Sequence, residues 1–333
     1  MSEPVDADDA PEPGPAGPPG RAAWVRATLL FGLTFLSMLY AGADRAVDSL
    51  EALWTGWDFA VPLMAILLCH ELGHYVAGRR WGVDISPPYF IPMPFMLFGT
   101  MGAVIRMRGR IRTRDALFDV GAAGPWAGLA VAVPVLVYGI ATSPVTALPD
   151  DGTAYFIEGR SLLYAGLLAQ LKGPIPEGQD IFLSSTALAG WAGLMVTMMN
   201  LVPVGQLDGG HVAYALLGER AHRLGRAVLI GLPIAGVLTG AYYALDAIGH
   251  GYDADTVEVQ ALAGLHWVVW FAVLQVIARL SGGHEHPPTD DGVLSPKRRV
   301  VAMATLVLFG LLFMPSWMRE PPESSAAAAA EAP

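Results

Sequence analysis

The sequence predicts an all-α polytopic membrane protein of about seven transmembrane helices with a re-entrant β-hairpin. Three observations carry that expectation. Hydrophobic residues make up 53% of the chain and charged residues only 15%, whereas soluble domains carry roughly 25% charged residues. Apolar runs long enough to cross a bilayer, about 20 residues each, recur along the chain. The basic residues are sorted to one side of those runs, as positive-inside topology requires.

Residues 1–22, which begin "MSEPVDADDAPEPG", are acidic and proline-rich, a composition that cannot bury enough apolar surface to fold. They lack the basic stretch and apolar core of a signal peptide, so a disordered tail is expected. Apolar runs then predict spans at about residues 24–43, 57–78, 117–142, 183–204, 227–245, 261–280 and 300–316. Residues 23–316 are read as one transmembrane domain with a core at about 57–215, and 317–333 as a second disordered tail. With the N-terminus inside, the inside segments hold Arg21, Arg26, Arg79, Arg80, the arginines from 106 to 114, Arg220, Arg223, Arg226, Arg279 and the basic run 297–299. Arg45, Arg160, Lys172 and Arg319 are left outside. The expected orientation is therefore N-terminus inside and C-terminus outside. Lysine occurs only at 172 and 297, in an Ala-, Gly- and Pro-rich background, which points to a GC-rich prokaryote and hence to a bacterial cell membrane.

Two stretches break the helical pattern. The segment "DISPPYFIPMPFMLFGTMGAVIRMR" is apolar enough for membrane depth. Prolines at 87, 88, 92 and 94 and glycines at 99 and 102 forbid one clean helix there. The expectation is a proline-rich entry followed by a hairpin pairing residues 96–99 with 102–107. Backbone of that kind survives at membrane depth only where protein or trapped water satisfies its polar groups. Residues 143–182 are expected outside, with "SLLYAGLLAQL" lying flat at the interface.

The chemistry begins at "LLCHELGHYVAGRR", residues 67–80. His70, Glu71 and His74 spell H-E-x-x-H, and on a helix positions i and i+4 share a face, so both imidazoles can reach one zinc. Glu71 is then placed to accept a proton from water activated by the metal. Ionisable groups in a span cost several kcal/mol and are read as functional by default. Catalytic zinc takes three protein ligands and keeps a position open. Asp208 in "NLVPVGQLDGGH" is the natural third: it too follows a span on the same side, and Gly209 and Gly210 let the backbone approach a metal closely. Cys69, the sole cysteine, excludes a disulfide and a cysteine-based zinc site.

These residues resemble the site-2 protease family of zinc intramembrane metalloproteases. The resemblance rests on "HELGH" at 70–74, on "NLVPVGQLDGG" at 200–210, which is similar to the family's N-x-x-P-x-x-x-L-D-G pattern, and on "GAAGPWAGL" at 121–129. It implies one zinc per chain held by His70, His74 and Asp208, with Glu71 as general base. It further implies that Asn200 helps hold the substrate or its developing oxyanion. The segment "FGTMGAVIRMR" resembles the family's re-entrant hairpin, so Gly99, Thr100, Met101 and Gly102 are expected to bind the unwound substrate. The implied substrate is a membrane-spanning segment of a regulatory protein. With about 40 residues between the third and fourth spans, neither a PDZ domain there nor a pair of C-terminal nucleotide-sensing domains, found in other members, is expected.

Two rivals are open. A membrane protease of the prenyl-protein type needs a downstream glutamate ligand, yet Glu219, Glu258 and Glu285 fall in connecting segments. A zinc transporter or sensor using the same ligands should show polar residues along several spans and symmetric halves, and neither is evident. His211 is read as equally suited to support the metal or an interface, and His284 and His286 as a solvated loop. The arginines at 106–114 fit inner-leaflet headgroups better than nucleic acid. The oligomeric state is left open.

Overall fold

The computed structural model describes residue 17, residues 19–43, 47–108, 111–149, 155–280, 289 and 292–322. Eleven helices appear among them: α1 (Arg21–Gly42), α2 (Leu50–Trp54), α3 (Trp57–Arg80), α4 (Arg114–Thr142), α5 (Leu162–Lys172), α6 (Ser185–Asn200), α7 (Asp208–Leu217), α8 (Arg220–Gly249), α9 (Ala254–Ala261), α10 (Leu265–Leu280) and α11 (Pro296–Leu312). Polar caps start several of them. The side chains of Thr113, Ser161, Ser184 and Asp253 accept from the backbone N–H three residues on, at the heads of α4, α5, α6 and α9.

Five segments are long and apolar enough to cross a membrane: α1, α3, α4, α8, and α9 with α10. The expected fourth and seventh spans are shorter, α6 having 16 residues and α11 having 17. Pro203 ends α6 early, as its missing N–H dictates. Ile230, Ile234, Val237, Leu238 and Leu245 stand exposed along α8. An apolar face on a helix of that length is one an integral membrane protein turns to lipid.

The core lies where α3, α4 and α6 meet. Leu63 and Ile66 of α3, Leu136 of α4, and Trp191 and Leu194 of α6 are fully buried there. Small residues bring the helices close, as membrane bundles require. A Cβ on Gly190 would stand 2.7 Å from the Leu136 Cα, and one on Gly73 would stand 2.8 Å from the Ala123 carbonyl carbon.

The hairpin differs from the expected one. β2 (Tyr89–Pro92) pairs antiparallel with β3 (Thr100–Val104), and β1 (Asp84–Ile85) with β4 (Met107–Arg108). The first strand is therefore the proline-rich entry, and residues 96–99 belong to the turn. Pro92 faces Thr100 where the register shifts, and at an irregularity a proline has no ladder N–H to lose. β1 adjoins the Arg80 end of α3, with the Ile85 side chain against Gly78. The turn sits against the other end: the Gly99 oxygen accepts from Ser37 Oγ of α1 at 2.6 Å, and Phe98 packs on Phe59 and Trp191.

A cap closes that second end. β5 (Val145–Ala147) pairs with β7 (Gln179–Ile181), and β6 (Ile157–Glu158) with β8 (Met318–Arg319). Residues 317–322 were expected to begin a disordered tail, yet 313–319 run across the cap as a strap. The indoles of Trp191 and Trp267 donate to the oxygens of Gly159 and Pro315, and Arg319 lies over Tyr243 at 4.3 Å. Arg21 and Ala22, placed in the N-terminal tail, belong to α1. Residues 1–16, 18 and 323–333 of the expected tails lie outside the described residues.

Candidate metal centre

The site is assembled from α3, α4, α6 and α7. His70 and His74 lie one turn apart on α3, both buried. Asp208 is the first residue of α7, reached by the non-helical turn 201–207 that follows α6. Gly209 and Gly210 fit there because their Cα atoms face the Val202 backbone and the Gly205 backbone: a Cβ would stand 2.8 and 2.9 Å from their respective carbonyl carbons.

Three ligand atoms converge. His70 Nε2 and His74 Nε2 each lie 3.2 Å from Asp208 Oδ2, and 3.1 Å from each other. Tetrahedral ligands at about 2.0–2.1 Å from zinc are separated by about 3.3 Å, so the triangle is the size that zinc demands. The tautomer is set as well. The Val120 carbonyl of α4 lies 2.7 Å from His74 Nδ1 and accepts its proton, which leaves the Nε2 lone pair free for a metal. This is the one group of three such side chains among the described residues whose ligand atoms lie within 4.8 Å of one another.

Glycines of α4 make room for it. A Cβ on Gly124 would stand 2.5 Å from His74 Cδ2 and Cε1 and closer still to Nε2, and one on Gly128 would stand 3.1 Å from His70 Cβ. On Gly121 it would stand 2.6 Å from His211 Cβ. This supporting role of Gly121, Gly124, Gly128 and Val120 was not read from the sequence, although the i, i+3, i+7 spacing of the glycines marks one helix face.

Two further residues named from the sequence come to the same place. Glu71, also on α3, is buried and lies within charge–charge reach of His70, His74 and Asp208. Asn200, the last residue of α6, brings Nδ2 to 3.4 Å from His70 Nε2. Gly99, Thr100, Met101 and Gly102 lie on the hairpin, where Thr100 Oγ1 donates to the Ile91 oxygen and accepts from Gly102 N–H. His211 is buried against α4. His222 stacks near Tyr214, and His284 and His286 lie outside the described residues.

Comparison with known proteins gives the same direction. Residues 58–234 match the family described as Peptidase family M50. The chain is 30% identical over 271 residues to a probable zinc metalloprotease EGY2, chloroplastic, of Arabidopsis thaliana, covering 79% of this chain and 42% of that protein. A probable EGY2 of Oryza sativa subsp. indica is 33% identical over 190 residues, 56% of this chain and 34% of that protein. The Arabidopsis EGY1 protein is 30% identical over 260 residues, 68% and 45% respectively. The chain thus spans less than half the length of these relatives. No solved structure matches it. With a family match that takes in α3, α4, α6 and α7 and every residue of the converging site, the chain belongs to peptidase family M50.

Proposed function

We propose that the chain is a zinc-dependent endopeptidase that cuts peptide bonds within the bilayer, in membrane-spanning segments of tethered regulatory proteins. Glu71 carries the reading. A buried carboxylate is costly unless something uses it, and this one lies within charge–charge reach of His70, His74 and Asp208, a donor triangle of the size zinc requires. His70, His74 and Asp208 would hold zinc, which when bound would supply a Lewis acid able to lower the pKa of water to about 7. Glu71 takes the proton of the attacking water and passes it to the leaving amine. Asn200 Nδ2 donates to the substrate carbonyl as negative charge grows on it.

A helical substrate hides its carbonyls in hydrogen bonds, so it must unwind locally before attack, which favours segments with helix breakers. The hairpin receives it. β3 pairs on one side only among the described strands, so the edge at residues 99–102 takes the unwound chain by strand addition. The run of that hairpin from the Arg80 end of α3 to Ser37 and Phe59 supports a re-entrant placement. In this reading α6 and α11 are short additional spans, making seven, and the arginine-rich end with the N-terminus faces inward. The matched relatives are named chloroplastic, so the topology is carried over and the host membrane is not.

The test pairs zinc content with cleavage of an unwindable transmembrane peptide, for wild type, Glu71→Gln and Asp208→Ala. About one zinc in wild type and Glu71→Gln, weakened zinc in Asp208→Ala, and cleavage by wild type alone are expected. Undiminished cleavage by Glu71→Gln, or wild type without zinc, sinks the reading. Zinc movement across vesicles that survives Glu71→Gln would favour a transporter instead.

A further inference from the structure

A cavity of about 320 Å³ opens at the Arg80 end of the bundle, between α3, α4 and α11. Ala77, Phe118, Ala122, Ala123, Trp126 and Val301 form its walls. These walls are apolar, and away from the charged rim they offer few of the two to four polar partners that an ordered water needs. Trp126 and Val301 are also exposed on the outer surface, so the cavity is continuous with the lipid-facing side of the bundle.

Its rim is charged in one sense. Asp119 lines the cavity, but Arg298 neutralises it through two bonds of 2.7 Å, and Trp81 donates to it at 2.9 Å. Arg80 lines the same rim, is exposed, and has no ion-pair partner among the described residues. Lys297 and Arg299 flank Arg298 at the head of α11. An apolar slot beneath an unpaired guanidinium matches an amphiphile with an anionic head and an apolar tail. From Asp119 to Trp126 the slot follows seven residues of α4, about 10 Å along the helix, which is the direction an acyl chain takes into the bilayer.

We propose that this cavity binds an anionic phospholipid, its headgroup phosphate at Arg80 and one acyl chain between α3, α4 and α11. The Trp81 indole stands beside Arg80 at the head of the slot, the belt position that tryptophan occupies at membrane interfaces, and Trp126 lines its deeper end. Basic pockets between helices on the inner side recognise anionic headgroups by this electrostatics. The site requires a membrane-embedded chain and no proteolysis, so it stands or falls separately from the catalytic reading.

The experiment is native mass spectrometry of detergent-purified full chain, titrated with phosphatidylglycerol or phosphatidylcholine. Wild type should retain one phosphatidylglycerol in preference to phosphatidylcholine. Arg80→Gln should weaken phosphatidylglycerol by about fivefold and abolish the preference. Val301→Trp, which fills the mouth from its exposed side, should remove tight retention of both lipids. Arg226→Gln, an exposed arginine on α8 away from the cavity, should match wild type, and unchanged zinc content shows that each variant is folded. The proposal is overturned if Arg80→Gln keeps the wild-type preference, if Val301→Trp retains the lipid, or if glycerophosphate without acyl chains competes as well as the whole lipid.

Discussion

Replacing Gly124 by alanine should empty the metal centre although it adds only one methyl group. The new Cβ would stand 2.5 Å from Cδ2 and Cε1 of His74 and nearer to Nε2, about an ångström inside van der Waals contact. The imidazole cannot yield without giving something up. Its Nδ1 is tied to the Val120 oxygen at 2.7 Å, and its Nε2 points at the donor triangle. Changes that touch a zinc ligand only indirectly cost about 10–100-fold in affinity, so displacing the ligand itself should cost more than about 100-fold. Helix propensity argues the opposite way, since alanine is favoured over glycine by about 1 kcal/mol in a helix. The assay is competitive zinc titration of purified protein, with circular dichroism to show that the helices persist. Gly128→Ala is the internal control: its Cβ would meet His70 Cβ at 3.1 Å and Nδ1 at 3.2 Å, which a shift of a few tenths of an ångström relieves. Wild-type zinc affinity in Gly124→Ala, or a greater loss in Gly128→Ala, would refute the reasoning.

Three other outcomes follow from the packing. Arg298→Ala leaves Asp115 and Asp119 without the guanidinium that joins α11 to α4; because the groups are partly exposed, the cost should be about 1 kcal/mol, seen as a fall of about 1–3 °C in melting temperature. Gly159→Ala should drive its methyl into the Ser316 carbonyl and unzip β6 from β8, which hydrogen exchange at residues 157–159 and 317–319 would report as lost protection. Burial holds the Glu158 carboxyl above its ordinary range, against the opposing bond from the Tyr164 hydroxyl and the Arg160 charge. A raised folded value means that the stabilisation is complete below the unfolded value of about 4.3 and disappears as pH rises through the folded one. Glu158→Gln, which keeps an acceptor for Tyr164, should therefore melt above wild type at neutral pH and converge with it near pH 4; a constant gap across that range would contradict the assignment.

The helical part of the fold was legible because its signals are long. The runs at 57–78 and 117–142 correspond to α3 and α4, and the H-E-x-x-H spacing fixes a shared face whatever surrounds it. The break between α6 and α7 was readable from Pro203 and the glycines after Asp208. The strands were not. β1, β4, β6 and β8 have two residues each, too few for alternation to register, and β2 was hidden because prolines argue against a strand unless an irregularity absorbs them. The strap at 313–319 was divided between the end of the last span and the start of the tail, since its order comes from bonds to Gly159, Trp267 and Tyr243, which are remote in sequence. At the site, the ligand types were visible, whereas the Val120 carbonyl could not be, being backbone that any residue would present.

The contact between Gly73 of α3 and residues 123–124 of α4 has a mechanical meaning. Where two helices meet through side chains, rotamers can change and let one slide or roll against the other. Here main chain rests on main chain, so there is no soft layer to deform, and the metal ligands ride on that joint. Whatever motion admits a substrate must be carried elsewhere, by α1, the hairpin, or the α8–α10 pair, around a hub that stays fixed while its surroundings open.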